Sequence, residues 1–449
     1  MASASEQLAS NMNFSAFAKA KELQQRLLFT LLILIVYRIG TYVPIPGVNL
    51  EQFKALFESG GSSGLLGRAN ILAGGAVERM AIFALNVMPY ISASIIMTLM
   101  KGSVPSLKEL DKDGEQGRKQ INQYTRYLTV FLAAFQAFGI SRALGAQGVV
   151  INPGLFFDAS TVITLVGGTM FLMWLGEQVT ARGVGNGVSL IIMAGIVAEL
   201  PRAIFQIFNL NESGSLSGLL LIGVIVMFLA LIMLIVFVER AQRRLLVQYP
   251  KRQMAGGKSF GGDNSFMPLK LNTAGVIPPI FASSLLLLPA TAGSIMSNGG
   301  PGWMTSMLAY IGYGSPVYLT LYGLLIIFFC YFYVPYVFKP EDVADNLRKN
   351  GGFLPGIRPG ARTAEYLTYV LSRLTFIGAI YVAFVCVLPE YVVAQNKSIP
   401  PSVAMLIGGM SLLIMVSVTL DTVAQIQSHL IAHQYEGLIK KSRMRRRKQ

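Results

Sequence analysis

Few residues in this chain are spaced to make or break bonds. Gly257-Lys258-Ser259 has the ending of a phosphate-binding loop, but that motif needs a glycine where Arg252 stands and a strand ahead of it. His429 and His433, the only histidines, would share one face of a helix; a zinc protease needs Glu after the first, and Leu430 follows it. Gly183-Val184-Gly185-Asn186-Gly187 has the glycine density of a nucleotide loop without the strand that should precede it. Cys330 and Cys386 both lie in apolar runs and read as small buried hydrophobes, not as a disulfide framework. No catalytic set, metal site or cofactor is expected, so any work done here draws its energy from elsewhere.

What the chain has instead is apolar length. Of its 449 residues, 53% are hydrophobic and 13% charged, against about 25% charged in soluble domains. Leu271 to Phe338 contains no Asp, Glu, Lys or Arg and is split near its middle by Gly/Ser/Asn/Pro clusters. Each flank is about 20 residues long, enough to span a hydrocarbon core of roughly 30 Å. Ten such spans are predicted: 27–43, 80–100, 127–145, 155–176, 187–208, 216–238, 273–292, 317–338, 374–389 and 402–420. In lipid the backbone must satisfy its own hydrogen bonds, so these are helices. The first span has no cleavage-type sequence after it and is expected to remain.

Positive charge sets the orientation. Of the 37 Lys and Arg, all but Arg38, Lys54, Arg68, Arg79, Arg142, Arg202 and Lys397 fall in segments that share one side when the N-terminus is cytoplasmic. Both termini are therefore expected in the cytoplasm. Two inside loops, 240–270 and 339–373, are long, basic and glycine-rich. Contact with anionic lipid explains a few charges near helix ends; charges spread along the loops also suit docking onto something acidic, such as ribosomal RNA or an acidic protein face. The basic tail from Lys440 to Lys448 fits either account.

A solute transporter, the competing class, would carry an acid or histidine near mid-span. Glu177, Glu199, Glu239, Glu390 and Asp421 are expected near span ends, and Arg38 is the one charge well inside a span. The glycine-rich stretch 60–76 is too short and broken to cross. It reads as an external loop or as a re-entrant half-helix covering a cavity.

The motifs then converge. Arg38-Ile39-Gly40 with Pro44-Ile45-Pro46-Gly47, Gly74-Gly75-Ala76 with Met88-Pro89-Tyr90-Ile91-Ser92-Ala93-Ser94-Ile95, and Gln123-Tyr124-Thr125-Arg126-Tyr127 come first. Trp174-Leu175-Gly176-Glu177-Gln178, Val238-Glu239-Arg240, Ala344-Asp345-Asn346-Leu347 and Pro355-Gly356-Ile357-Arg358-Pro359-Gly360 follow. In this order they closely resemble the SecY/Sec61-alpha family of protein-translocation channels, over nearly the whole chain.

That resemblance implies an all-α polytopic membrane protein, with ten transmembrane helices in two inverted pseudo-symmetric halves of five and a re-entrant plug. The implied division is a cytoplasmic segment (1–26), an N-terminal half (27–208), a hinge loop (209–217), a C-terminal half (218–422) and a basic tail (423–449). The plug maps onto Gly64, Leu65, Leu66, Gly67, Arg68, Ala69, Asn70, Ile71, Leu72, Ala73, Gly74, Gly75, Ala76 and Val77. The hydrophobic constriction maps onto Val87, Ile91, Val188, Ile192, Ile280 and Ile414, all β-branched aliphatics. Such a ring offers ions no hydrogen bonds and dewets when narrow, yet yields to a passing chain because dispersion is non-directional. Ser92, Gln136 and Leu288 map to a lateral gate between helix pairs, through which apolar client segments would reach lipid. Arg243, Arg244, Lys251, Arg252 and Arg358 map to surfaces that dock the ribosome and the SecA motor ATPase. The family pattern also implies SecE- and SecG-type subunits, signal-sequence-bearing clients, contact with anionic lipids, no cofactor, no enzymatic activity and an inner-membrane location.

Overall fold

A computed structural model of the chain describes residues 20–57, 65–212, 218–249, 252–253, 259–260, 264–296, 315–395 and 408–446. Each of the ten predicted spans overlaps a helix. These are α1 (Lys21–Gly40), α4 (Met88–Ser103), α6 (Glu115–Ala146), α7 (Leu155–Arg182), α8 (Gly187–Glu212), α9 (Gly218–Arg240), α10 (Ile277–Met296), α11 (Pro316–Val337), α13 (Ala361–Gln395) and α14 (Gly409–Arg446). Four shorter helices stand between them: α2 (Leu50–Leu56), α3 (Leu65–Leu72), α5 (Pro105–Lys112) and α12 (Pro340–Lys349). Among the described residues, 8 helices are long and apolar enough to cross a membrane; α4, at 16 residues, is shorter.

The helices are apolar on the wrong side for a water-soluble protein. On α1 the buried positions are Leu23, Thr30, Ile33, Tyr37 and Gly40. Leu28, Leu31, Leu32, Ile35, Val36 and Ile39 face outward, 43–61% exposed. Helices in lipid gain little by hiding leucine; they pack through small and polar side chains and leave the large apolar ones to the hydrocarbon. α9 carries the same signature in Ile222, Val226, Leu229, Met233 and Phe237, all exposed.

The chain forms two compact units, Met1–Ala93 with Asn122–Phe205 and Ile414–Gln449, and Ser94–Ile121 with Gln206–Leu413. In the first, α1 packs on α7. The turn ahead of α8 is fastened there by Val184 N–H donating to Thr30 Oγ1 and Gly185 N–H donating to Gln425 Oε1. In the second, α10, α11 and α13 pack on one another, with Phe281 edge-on to Phe329 and Tyr333.

Two departures from the sequence reading are local and physical. The second span was expected as a helix from Met80, but α4 begins at Met88, with Pro89 in the first turn where its missing N–H costs nothing. Residues 73–87 instead run through turns, with Met80 and Asn86 in the left-handed region at φ 42° and 50°. The loop after α9, read from sequence only as long, basic and glycine-rich, contains an antiparallel hairpin of β1 (Gln242–Gln248) with β4 (Asn264–Lys270), paired Gln242↔Lys270 through Gln248↔Asn264. A two-residue pair, β2 (Arg252–Gln253) with β3 (Ser259–Phe260), continues it.

Candidate functional site

The segment 64–77, mapped from sequence as a plug, contains a short helix whose end is caught by side chains. α3 stops at Leu72 because Gly74 and Gly75 take φ of +64° and +79°, which a side chain resists. A helix end leaves unpaired carbonyls carrying partial negative charge, and three consecutive ones are met here. Asn86 Nδ2 donates to Leu72 O and the Tyr37 hydroxyl to Ala73 O at 3.2 Å. Arg38 Nη1 donates to Gly74 O at 2.6 Å and Arg79 Nη1 to the same oxygen at 3.3 Å. Asn70, Ile71, Leu72, Ala73, Ala76 and Val77 are all buried. Gly195 on α8 permits the approach, since a Cβ there would stand 2.8 Å from Leu72 O and 3.1 Å from Gly74 N. Gly64 and the side chains of Leu65, Leu66 and Arg68 lie outside the described residues.

Around this end lies a cluster of five charges. Arg202 on α8 grips Glu78 with both guanidinium nitrogens, at 2.7 and 2.8 Å. Glu78 also accepts from Asn70 Nδ2 at 3.4 Å, while its own N–H donates to Asn70 Oδ1 at 2.9 Å. Glu199 lies 3.5 Å from Arg79, 3.8 Å from Arg38 and 3.9 Å from Arg202. Tyr42 lies beneath the guanidinium groups of Arg38 and Arg79, its ring centre 5.1 and 4.3 Å away, and accepts from Arg38 at 3.1 Å. Burial alone would raise the Glu78 carboxyl; the Arg202 fork, the Arg79 charge and the Asn70 amide outweigh it and hold it below the ordinary carboxylate value. Glu78 is therefore an anion at neutral pH. Its stabilising effect is present above that ordinary value and is lost as pH falls through the lowered one.

Glu199 corrects the sequence reading. It was expected near a span end, yet it occupies the middle of α8 and is 6% exposed. The charges of Arg38, Arg79 and Arg202 make that burial tolerable. Arg38, the intramembrane charge noted from sequence, finds its counter-ion there. The hydrogen-bonded pair Glu78–Arg202 had no local sequence signal, because its partners are far apart in the chain.

Five of the mapped constriction residues belong to the first unit: Val87 just before α4, Ile91 on α4, Val188 and Ile192 on α8, and Ile414 on α14. Val87, Ile91, Ile192 and Ile414 are buried and Val188 is partly buried. Ile280, on α10 in the second unit, is 7% exposed. Ser92 on α4 and Gln136 on α6 are buried polar residues, 5% and 4% exposed. Leu288 lies on α10, but its side chain is outside the described residues.

The mapped docking residues sit on a packed platform. Leu245, Val247 and Leu269 of the hairpin form one buried cluster with Leu354, Leu367, Val370 and Leu374. The second basic loop is stitched to the first by paired backbone bonds between Gln248 and Phe353, at 2.9 and 3.0 Å. Alternation explains the hairpin: Leu245 and Val247 point into the cluster while Arg244 points out. Arg243, Arg244 and Arg358 are exposed on this body. Lys251 and the side chain of Arg252 lie outside the described residues.

Comparison with known proteins completes the picture. The SecY family model matches residues 81–423. A protein translocase subunit SecY from Rickettsia bellii is 49% identical over 440 residues, covering 97% of this chain and 100% of that protein. Among solved structures, one described as showing that the plug domain of SecY stabilises the closed channel and maintains a membrane seal superposes with TM-score 0.67 at 18% identity, over 91% of this chain and 92% of that one. Sec61 in the canine ribosome–channel complex superposes with TM-score 0.60 at 17% identity, over 91% of this chain and 92% of that one.

Proposed function

The chain belongs to the SecY family, and from that membership we propose that it is the central protein-conducting channel of a Sec translocon. It passes unfolded, signal-sequence-bearing polypeptides across the inner membrane and releases apolar segments sideways into the bilayer. It hydrolyses nothing and needs no cofactor; SecA, the translating ribosome and the membrane potential supply direction. SecE- and SecG-type subunits complete the complex.

The observation that carries the reading is a short buried helix, followed by irregular backbone, inside an otherwise regular helical membrane unit. Non-helical backbone at membrane depth requires a protein cover or a cavity to line, and a seal that must leave its seat is one use for it. Residues 64–77 are the plug. Val87, Ile91, Val188, Ile192, Ile280 and Ile414 are the constriction, and Ser92, Gln136 and Leu288 line the lateral gate. The hairpin platform, with Arg243, Arg244, Lys251, Arg252 and Arg358, receives the ribosome and SecA and also meets anionic lipid. The bias of Lys and Arg supports a cytoplasmic platform and cytoplasmic termini. The two halves, 27–208 and 218–422, part about the 209–217 hinge. A solute transporter would show saturable uptake of a small substrate; the mid-helix Glu199 it would use is instead occupied by arginines.

The test is a site-specific crosslink. Val188→Cys is introduced with Cys330→Ser and Cys386→Ser, and a secretory chain carrying one cysteine is stalled in transit. A disulfide between the two that depends on SecA and ATP is expected. Crosslinks confined to lipid-facing positions would make the protein a neighbour of the pore instead.

A further inference from the structure

The five-charge cluster has no part in the account above. Glu78, Arg79, Glu199, Arg202 and Arg38 come from three places in the chain: the connection after α3, the middle of α8 and the end of α1. Their contacts join the plug segment to two spanning helices. From α1 come Arg38 on Gly74 O and Tyr37 on Ala73 O. From α8 comes Arg202 on Glu78, which is itself tied to Asn70 inside α3. Glu199 joins the two sides, within 4 Å of Arg38, Arg79 and Arg202.

We infer that this cluster is a latch: Arg202, Glu78 and Glu199 are positioning residues that hold the segment 65–77 seated and so set how strong a signal sequence must be to open the channel. The inference rests on the plug reading above. The physical argument is one of differential contact. An element shifts between two states only through interactions that differ between them. Tyr37 and Arg38 on the carbonyls of Ala73 and Gly74, and the fork that holds Glu78, belong to α1 and α8, so leaving the seat breaks them; the Asn86 and Arg79 contacts come from the connection after α3 itself.

The cost of breaking them is steep at first and short in range. A forked guanidinium–carboxylate pair is among the strongest and most directional of polar contacts, but it vanishes within a few ångströms of travel. A latch of this kind resists small fluctuations and then lets go. Removing one partner is worse than removing the pair, because the other charge is left buried and unpaired. Arg202→Ala would leave Glu78, 8% exposed, beside Asn70 without its main counter-ion. Escape to water would then favour the unseated state, and weaker signals would suffice.

The experiment uses the reconstituted complex with its motor and three variants: Arg202→Ala, Arg202→Lys, and the exchange Glu78→Arg with Arg202→Glu. Two quantities are read: resting ion conductance in planar bilayers, and transport of a precursor with a defective signal sequence relative to its normal form. Arg202→Ala is expected to raise both severalfold, Arg202→Lys less, and the exchange to return both toward wild type. The exchange separates a latch from general damage, since two substitutions in a structural site would add to the defect. Wild-type conductance and selectivity in Arg202→Ala would overturn the proposal, as would an exchange variant no better than Arg202→Ala. Deleting 64–77 is the parallel control. If that deletion leaves conductance unchanged, the plug reading fails; if it raises conductance while Arg202→Ala does not, only the latch fails.

Discussion

Among the segments between the spanning helices, 65–87 and the platform are held by different balances of contact. The segment 65–87 is buried through Ile71, Leu72, Met80, Phe83 and Leu85 and is held in addition by polar contacts: three carbonyls met by side chains, a forked ion pair, and a second carboxylate among three arginines. The platform of 242–270 and 353–374 is fixed mainly by apolar burial around Leu245, Val247, Leu269, Leu354 and Leu367. Apolar contact is non-directional and weakens gradually, which suits a surface that must keep its shape while a partner pushes on it. Polar contact is directional and fails abruptly, which suits a part that must be either in place or out of it.

The contrast can be broken at several points. The largest effect is expected at the platform's exposed face. Arg358→Glu should abolish SecA-driven translocation into inverted vesicles while the complex still assembles, and normal translocation would remove the docking role. Deleting 64–77 should raise resting conductance severalfold in planar bilayers without the same loss of transport. Truncating the platform's core should act on stability instead: Leu367→Ala, at a fully buried site, is expected to cost about 2–5 kcal/mol, read as faster hydrogen exchange across β1 and β4. Ile91→Asn with Ile192→Asn should let precursors with defective signals pass, and continued rejection of them would argue against the ring.

The smallest test sharpens the polar side. Gly75 and Gly114 both have positive φ, but a Cβ on Gly75 would stand 2.5 Å from Glu199 Oε1, whereas Gly114 has open space around it. Gly114→Ala should cost only the backbone penalty of left-handed geometry, about 1–2 kcal/mol. Gly75→Ala should add a measurable resting leak. Equal leak in the two variants would mean that the seat tolerates displacement of Glu199.

Most of the helical scaffold was legible because its signals are local. Apolar length marked the spans, and the charge-free run from Leu271 to Phe338 located the seventh and eighth. The start of α4 was missed because residues 80–87 are as apolar as a helix, and it is the left-handed backbone at Met80 and Asn86 that breaks it. The hairpin was missed because its apolar alternation is only Leu245 and Val247 long, and its partner strand carries Pro268. Glu199 was misplaced against its own span, since position 199 lies near the middle of 187–208; of the arginines beside it, Arg202 is three residues away on the same helix, while Arg38 and Arg79 come from other parts of the chain. Nothing local distinguishes Val87, Ile91, Val188, Ile192, Ile280 and Ile414 from ordinary packing residues; family likeness alone picked them out.

The length of α13 has a mechanical consequence. Its 35 residues extend about 52 Å at 1.5 Å per residue, well beyond a hydrocarbon core of roughly 30 Å. The surplus lies at its first turns, where Leu367, Val370 and Leu374 are clamped into the platform. A load applied near Arg358 therefore enters a stiff strut three residues before it begins. Up to Pro389, where the helix loses a backbone hydrogen bond, the strut has little compliance along its axis, so a tilt imposed at that end would be delivered at membrane depth as a displacement.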